Sequence, residues 1–126
     1  MSDSRIGQFV IGGTMPGQPT VTVFLVVTGD QVAGVGRFSW PVSPPQNFVV
    51  LFSGKTHSTG LGPAKQLYAL IGKPFPELIG APNVPTLAIT LDGVWGTSGK
   101  ASYGIWLDTP SIEKFDDQPV SVKWLT

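Results

Sequence analysis

The feature that most constrains the fold is a pair of β-rich segments separated by two turn-forming residues. Thr20–Thr28 (TVTVFLVVT) is rich in valine and threonine, and Gln31–Trp40 follows it after Gly29-Asp30. Branched side chains of this kind favour strands over helices. A two-residue loop with glycine first is typical of a type II′ hairpin. The sequence therefore predicts an antiparallel hairpin whose register follows from its turn.

Counting outward from the turn assigns the facing residues of the hairpin. The pairs predicted on one face are Val27–Val32, Leu25–Gly34, Val23–Gly36 and Val21–Phe38, and those on the other are Val26–Ala33, Phe24–Val35 and Thr22–Arg37. The first face is wholly apolar and is predicted to line the core. The second face carries the apolar pair Phe24–Val35 on the side where solvent is expected, so a second layer or a partner should cover it.

Gly34 and Gly36 form a G-x-G pair beside Arg37, which raises the question of a phosphate-binding loop. Such loops lie between a strand and a helix N-terminus, and the dinucleotide-binding fingerprint has a third glycine. Here the strand continues to Trp40 and then meets Pro41, so no helix can follow. The glycines are predicted to allow bending or close packing of a strand.

The rest of the chain repeats short apolar runs between glycine and proline turns. The 126 residues include 16 glycines and 12 prolines, which with the many valines and threonines indicates an all-β protein. Two long loops are predicted, the Pro-rich Gly72–Pro85 and the acidic Asp108–Gln118. The further predicted strands are Ile6–Ile11, Phe48–His57, Leu87–Trp95, Lys100–Leu107 and Val120–Leu125.

Ala64–Ile71 (AKQLYALI) is compatible with a short helix or a strand. Its residues are good helix formers between Pro63 and Gly72, whereas its length and its setting among strands favour β structure. With this segment as a strand, the chain is predicted to be a single all-β domain over residues 1–126. It has about eight mostly antiparallel strands in a compact barrel or sandwich.

The predicted strand Phe48–His57 is also apolar on both faces, with Val49 and Leu51 opposite in phase to its other large residues. A closed barrel has only one inside, so its outer face should be polar in a monomer. The sequence therefore predicts a sandwich with a buried second face or a homo-oligomer. The predicted interface residues are Phe24, Val26, Val35, Val49 and Leu51.

Charge and composition exclude several classes of function. Charged residues make up 13% of the chain with no net charge, so there is no basic face for nucleic acid. No apolar run approaches the length of a transmembrane helix or a secretory signal, so we predict no membrane partner and a protein that is cytoplasmic or exported without a signal peptide. The absence of cysteine excludes disulfides and thiol chemistry. We predict no cofactor and no metal site.

Four residues are candidate ligand contacts. His57, the single histidine, follows Lys55-Thr56 at a strand end, where it is most simply an exposed residue. Asp92 is predicted to lie in the middle of a strand, paired with Lys100 or holding a polar ligand. Trp106 points outward if the Gly96–Gly99 turn leaves an odd number of unpaired residues, which suits sugar stacking or a protein contact; the alternative is ordinary burial under a loop. Arg37 on the hairpin's second face is the fourth candidate.

The other three tryptophans, Trp40, Trp95 and Trp124, are in phase with the apolar faces of their strands and are predicted to pack in the core. The acids of Asp116-Asp117 lack the spacing of a calcium loop and are predicted to be solvated.

Several motifs together resemble a known family. They are V-x-G-x-G-R-F and V-S-P-P in residues 32–45, A-L-I-G-K-P in residues 69–74, L-A-I-T-L-D-G-V-W in residues 87–95, and G-K-A-S-Y-G in residues 99–104. The resemblance is to a family of small bacterial proteins known only as a domain of unknown function, and it runs from about Gly29 to Trp124. It implies a compact all-β domain and transfers no catalytic residue.

The function that these observations favour is non-catalytic. We predict a binding or interaction protein that self-associates through strand faces and binds a small molecule, a carbohydrate or a protein. Two alternatives stay open: an isomerase or hydrolase with a site at a barrel mouth, using His57 or Asp92 as base, and an accessory structural protein of a bacterial assembly.

Overall fold

The computed structural model describes residues 4–12, 18–40, 46–59, 65–75, 86–106 and 112–125. These residues form eight strands, each antiparallel to the next, and the last pairs back onto the first in a closed barrel. Within them no helix is long and apolar enough to span a membrane. The strands are β1 (Ser4–Gly12), β2 (Thr20–Thr28), β3 (Gln31–Trp40), β4 (Gln46–Ser58), β5 (Gln66–Phe75), β6 (Thr86–Leu91), β7 (Ser98–Trp106) and β8 (Ile112–Trp124).

Closure of the barrel decides between the two predicted architectures. β1 pairs with β8 from Gly7–Trp124 to Ile11–Val120, so neither strand is left as a sheet edge. The prediction of a barrel is confirmed and the sandwich alternative is wrong, because the second face of the hairpin is the outside of the barrel. The ambiguous segment Ala64–Ile71 contributes to strand β5, which pairs with both β4 and β6.

The predicted hairpin register is confirmed at every pair. Thr28 lies opposite Gln31, and the pairing runs without interruption to Thr20 and Ser39. Gly29 has a φ of 61°, the left-handed value that the first turn position of a type II′ turn requires. A Cβ atom added at Gly36 would lie 2.7 Å from the Phe52 ring, so this glycine leaves room for a core side chain.

Inward side chains fill the barrel, alternating along each strand with outward ones. The Phe9 and Tyr68 rings pack edge-on with 5.5 Å between their centroids, and the Phe38 and Tyr103 rings do so with 5.6 Å between theirs. Each large side chain removed from water stabilises the fold by about 1.5–3 kcal/mol. The buried apolar residues are Phe9, Ile11, Val21, Val23, Leu25, Val27, Val32, Phe38, Val50, Phe52, Tyr68, Leu70, Leu87, Ile89, Leu91, Ala101, Tyr103, Val120 and Val122.

The first predicted long loop is partly strand. β5 continues through Pro74, which lies opposite Val50 of β4, to Phe75. Pairing of β5 with β6 ends at the Ile71–Thr86 pair, so beyond that point β4 is its one neighbour among the described residues. A proline, which has no N–H to donate, is tolerated in such an edge position. Residues 76–85 of the predicted loop lie outside the described residues.

The second predicted loop is wrong over most of its length, because β8 begins at Ile112. Its pairing with β7 shifts between Ala101–Gln118 and Tyr103–Phe115, where an extra residue enters β8. Asp117 has a φ of 54° at this bulge, and aspartate tolerates that conformation better than most residues. Acidic residues that suggested a loop therefore lie in an irregular strand.

Candidate functional site

The outer side of β2, β3 and β4 carries a row of exposed apolar side chains. Phe24 lies opposite Val35, and Val35 lies opposite Leu51, so the three form a cross-strand ladder. Their exposed fractions are 41%, 40% and 43%. Val26, next to Phe24 in the outward phase of β2, is 41% exposed. The row lies at the centre of three paired strands, where the rigid backbone holds the side chains in register.

A second row, Ile6–Val26–Ala33–Ser53–Ile71, lies beside the first and reaches the two neighbouring strands. The first row ends in Gln8 on β1 and Lys73 on β5. Ile6 of β1 lies opposite Val26, and Ile71 of β5 lies opposite Ser53 of β4. Ile71 is the most exposed of the large apolar residues described, at 67%. We call this outer side of β1–β5 the apolar wall. Its members are Ile6, Phe24, Val26, Val35, Leu51 and Ile71.

The outer side of β6–β8, which we call the polar wall, has a different composition. Apart from Pro119, its described outward side chains are small, hydroxylated or charged: Thr86, Ala88, Thr90, Lys100, Ser102, Lys114, Asp116, Ser121 and Lys123. Five of them line a depression of about 320 Å³, Ser102, Lys114 and Asp116 among them. The two sides of one barrel thus present different chemistry to solvent.

A second depression, of about 400 Å³, lies within the apolar wall. Arg37 stands at its edge, with Thr22 and Val49 as its cross-strand neighbours on β2 and β4. No acidic group of the described residues pairs with Arg37; the ion pair described joins Lys55 Nζ to Asp30 Oδ2 at 3.7 Å. The described residues that line the depression are Thr22, Phe24, Val35, Gly36, Arg37 and Val49.

The structure therefore brings some of the predicted residues together and separates others. Arg37, a predicted ligand contact, shares this depression with three predicted interface residues. His57 is exposed and lies eight residues along β4 from Val49, the neighbour of Arg37, which corresponds to about 26 Å of strand. The histidine and the arginine therefore belong to different sites.

Asp92 is not in the middle of a strand, as predicted, because β6 ends at Leu91. Asp92 begins the turn to β7, where its carboxylate Oδ2 accepts a hydrogen bond from Ser98 Oγ at 3.3 Å and its N–H donates to Ser98 O. Lys100 lies opposite Thr90 on the strands, and the described residues include no ion pair between it and Asp92. The aspartate stabilises a turn.

Trp106 is at the end of β7, opposite Ile112, and its side chain lies outside the described residues, as does that of Trp40. The strand register on which the Trp106 prediction depended is found earlier in β7. Ala101 and Tyr103 are buried on the same face of the sheet as Leu91. Within the described ranges there is no group of three histidine or acidic side chains suited to a metal ion.

One cluster at an end of the barrel does not follow from strand phase alone. Trp95 lies in the β6–β7 turn and is 37% exposed, so its predicted place in the core is wrong. The Arg5 guanidinium stacks over its ring at 4.6 Å, and Trp124 meets it edge-on at 5.1 Å. Trp124 Nε1 donates to Gly96 O at 3.0 Å and its ring packs on the core, as predicted. These residues close one end of the barrel.

A polar network occupies the interior near the same end. Gln66 Nε2 donates to Thr56 Oγ1 at 2.7 Å, and Thr56 Oγ1 donates to the carbonyl oxygen of Leu67. Ser58 Oγ donates to Gln66 Oε1 at 3.0 Å. Burial raises the pKa of Tyr68 to about 12, although a hydrogen bond with Thr56 lowers it. The network satisfies buried groups and contains no acid–base pair.

Tyr103 differs from Tyr68 in having no partner among the described residues. Its Oη is buried without a hydrogen bond, and burial raises the pKa of this phenol well above its ordinary value. The ring itself is held by stacking on Phe115 at 5.3 Å. A neutral phenol in this setting is a core residue with an unpaired hydroxyl.

No curated protein matches the chain. One family model covers residues 6–108, which spans β1 up to the end of β7, while the closing strand β8 follows the matched region. The chain therefore belongs to the family described as a domain of unknown function, DUF1842.

Proposed function

We propose that this barrel is a non-catalytic interaction domain that self-associates through its apolar wall. The observation that carries the proposal is the continuous row Phe24–Val35–Leu51 on the outside of a closed barrel. The interior already has a filled core, so no layer of the described chain covers these side chains. Contiguous outward apolar surface of this kind is typical of protein interfaces.

The size of the wall sets the expected strength of association. Five strands about 4.8 Å apart are about 19 Å wide, and three outward rows about 6.6 Å apart span about 13 Å, so the flat area between the outermost residues is on the order of 250 Å². A standard interface buries about 800 Å² on each partner. The wall alone therefore supports only weak, transient association.

A second copy of the chain is the occupant that fits the charges of the wall. Phe24, Val35 and Leu51 are uncharged. Lys73 lies at the β5 end of their row, opposite Leu51, and Arg37 lies in the next row on β3. A two-fold axis along the row Phe24–Val35–Leu51 places Arg37 of each copy opposite the row Val26–Ala33–Ser53 of the other. The Lys73 side chains of the two copies then meet at the end of the row, where they are exposed and screened by solvent. The two guanidinium groups are then kept apart and the apolar rows face each other.

Val26→Lys tests the proposal. It adds a charge to the wall without altering the interior, so it should shift the protein to monomer at concentrations where the wild type associates. Ser121→Lys is the matched control, because Ser121 is exposed on β8 in the polar wall. Sedimentation velocity between about 10 µM and 1 mM measures both variants.

The proposal is wrong if the wild type stays monomeric over that concentration range. It is also wrong if Val26→Lys associates as strongly as Ser121→Lys. Retention of a different protein on the wild type, lost with Val26→Lys, would instead favour the accessory-protein alternative. The enzyme alternative gains no support from the described residues, because His57 is solvent-exposed and Asp92 is held in a turn.

A further inference from the structure

We propose that the depression at Arg37 binds a small molecule that joins a carboxylate to an apolar body. The site is formed by side chains from three neighbouring strands, and its volume of about 400 Å³ falls within the range of small-molecule sites, roughly 300–1,000 Å³. It does not require self-association. Because it shares Phe24 and Val35 with the apolar wall, its ligand and a second copy of the chain compete.

The polar part of the ligand follows from Arg37. A guanidinium carries a permanent positive charge and offers several N–H donors in one plane. No acidic side chain of the described residues pairs with it, and its cross-strand neighbours are Thr22 and Val49. A planar carboxylate accepts two parallel hydrogen bonds from such a group.

A carboxylate fits this depression better than a phosphate does. Arg37 is the one cation among the described lining residues, and it balances a single negative charge. A phosphate monoester carries close to two charges at neutral pH and calls for a second cation. The hydroxyl of Thr22 adds one neutral hydrogen-bonding group, which suits the second oxygen of a carboxylate.

The apolar part follows from the remaining lining. Phe24 and Val35 lie opposite each other and Val49 is half-buried beside Arg37, so the three give an apolar surface next to the charge. Aromatic and aliphatic side chains with one well-placed charged group are typical of small-molecule sites. An aryl or short alkyl group attached to the carboxylate covers this surface.

The experiment compares 4-phenylbutyrate with its uncharged amide, 4-phenylbutyramide, by NMR titration of isotope-labelled protein. The carboxylate should shift the Val35 and Val49 methyl signals and bind at least about tenfold more tightly than the amide. Arg37→Gln should weaken binding of the carboxylate by about tenfold or more and leave the amide unaffected. Arg37→Lys keeps the charge but loses the planar fork, so its affinity for the carboxylate should lie between those of the wild type and Arg37→Gln.

Two controls separate this site from the apolar wall as a whole. Lys100→Gln removes a cation from the polar wall and should bind 4-phenylbutyrate as the wild type does. Val26→Lys, whose residue is not part of the described lining of the depression, should still bind 4-phenylbutyrate even where it abolishes self-association. A monomeric wild type that binds the ligand would refute the proposed function and leave this site standing.

The opposite result is equally clear. Equal affinity for the acid and the amide would overturn the site, as would Arg37→Gln binding like the wild type. Methyl shifts centred on β6–β8, or no saturable shift below about 10 mM, would also overturn it. None of these outcomes bears on sedimentation of the ligand-free protein, which tests the proposed function separately.

Discussion

The two walls of this barrel enclose the same interior but differ on the outside. β2 and β7 both place large apolar residues inward, as Val23 and Tyr103 show. Outward, β2 presents Phe24 and Val26 whereas β7 presents Lys100 and Ser102. Since the polar wall shows that the fold is compatible with polar outer residues, the apolar residues of the other wall are not needed for closure. Under the proposed function, they are explained by what the protein contacts.

The largest expected difference in the free energy of unfolding is between the same substitution at an inward and at an outward residue of β2. Val23→Lys buries a charge at a residue with no exposed surface and should destabilise the fold by at least about 4 kcal/mol. Phe24→Lys, one residue later but outward, should change the free energy of unfolding by less than about 1 kcal/mol. Urea denaturation measures both, with circular dichroism showing whether Val23→Lys folds at all.

Equal destabilisation by the two substitutions would break the distinction between wall and interior. It would mean that Phe24 contributes to the fold as much as a core residue does, and that the apolar wall is a structural feature. The proposal of an interaction surface would then lose its main support.

The register of the hairpin shows what could be read from the sequence. A two-residue turn at Gly29-Asp30 determines every pair up to Thr20–Ser39, because strand pairing allows no choice once the turn is set. Part of the lining of the depression at Arg37 could be predicted in the same way, because the Thr22–Arg37 and Phe24–Val35 pairs follow from the turn. Its third side, Val49, depends on pairing with β4 across residues 41–45, whose length does not determine the register.

Closure of the barrel could not be predicted by the same reasoning. Strands with apolar residues on both faces, such as Phe24 and Val35 in the hairpin, are also what a sandwich requires, so local patterns do not distinguish the two. The Gly7–Trp124 pair that closes the barrel joins distant parts of the chain. Trp95 was misplaced for a related reason: it follows the strand phase of Leu91, but the strand ends there and the ring is held by Arg5 and Trp124.

Substitution of the two buried tyrosines should change the free energy of unfolding by an intermediate amount. Tyr68 lies behind the apolar wall and Tyr103 behind the polar wall, so the pair allows the two halves of the interior to be compared. Tyr68 has its pKa raised from 10.0 to about 12 in the folded protein, so its neutral form is favoured by folding. Stability is then fully present below pH 10 and is lost as the pH rises from 10 towards 12, by about 2 kcal/mol. Urea denaturation from pH 8 to 11.5 measures the loss, and Tyr68→Phe should reduce it.

Tyr103 makes the comparison sharper, because its hydroxyl is buried without a partner in the described part of the chain. At pH 8, Tyr103→Phe should leave stability unchanged or raise it slightly, whereas Tyr68→Phe should cost about 1 kcal/mol through loss of the hydrogen bond with Thr56. A comparable cost for both substitutions would show that the Tyr103 hydroxyl has a stabilising partner.

The smallest expected effect lies at the seam where the walls meet through β1 and β8. Arg5 stacks on Trp95 at 4.6 Å on the surface, a contact that contributes about 0.5–1 kcal/mol. Arg5→Gln should lower the free energy of unfolding by that amount, whereas Lys123→Gln, an exposed change on β8, should have no measurable effect. A double-mutant cycle of Arg5→Gln with Trp95→Leu should give a coupling energy of the same size. Zero coupling would mean that the walls are joined by strand pairing and by Trp124 alone, and that Arg5 is only a solvated charge.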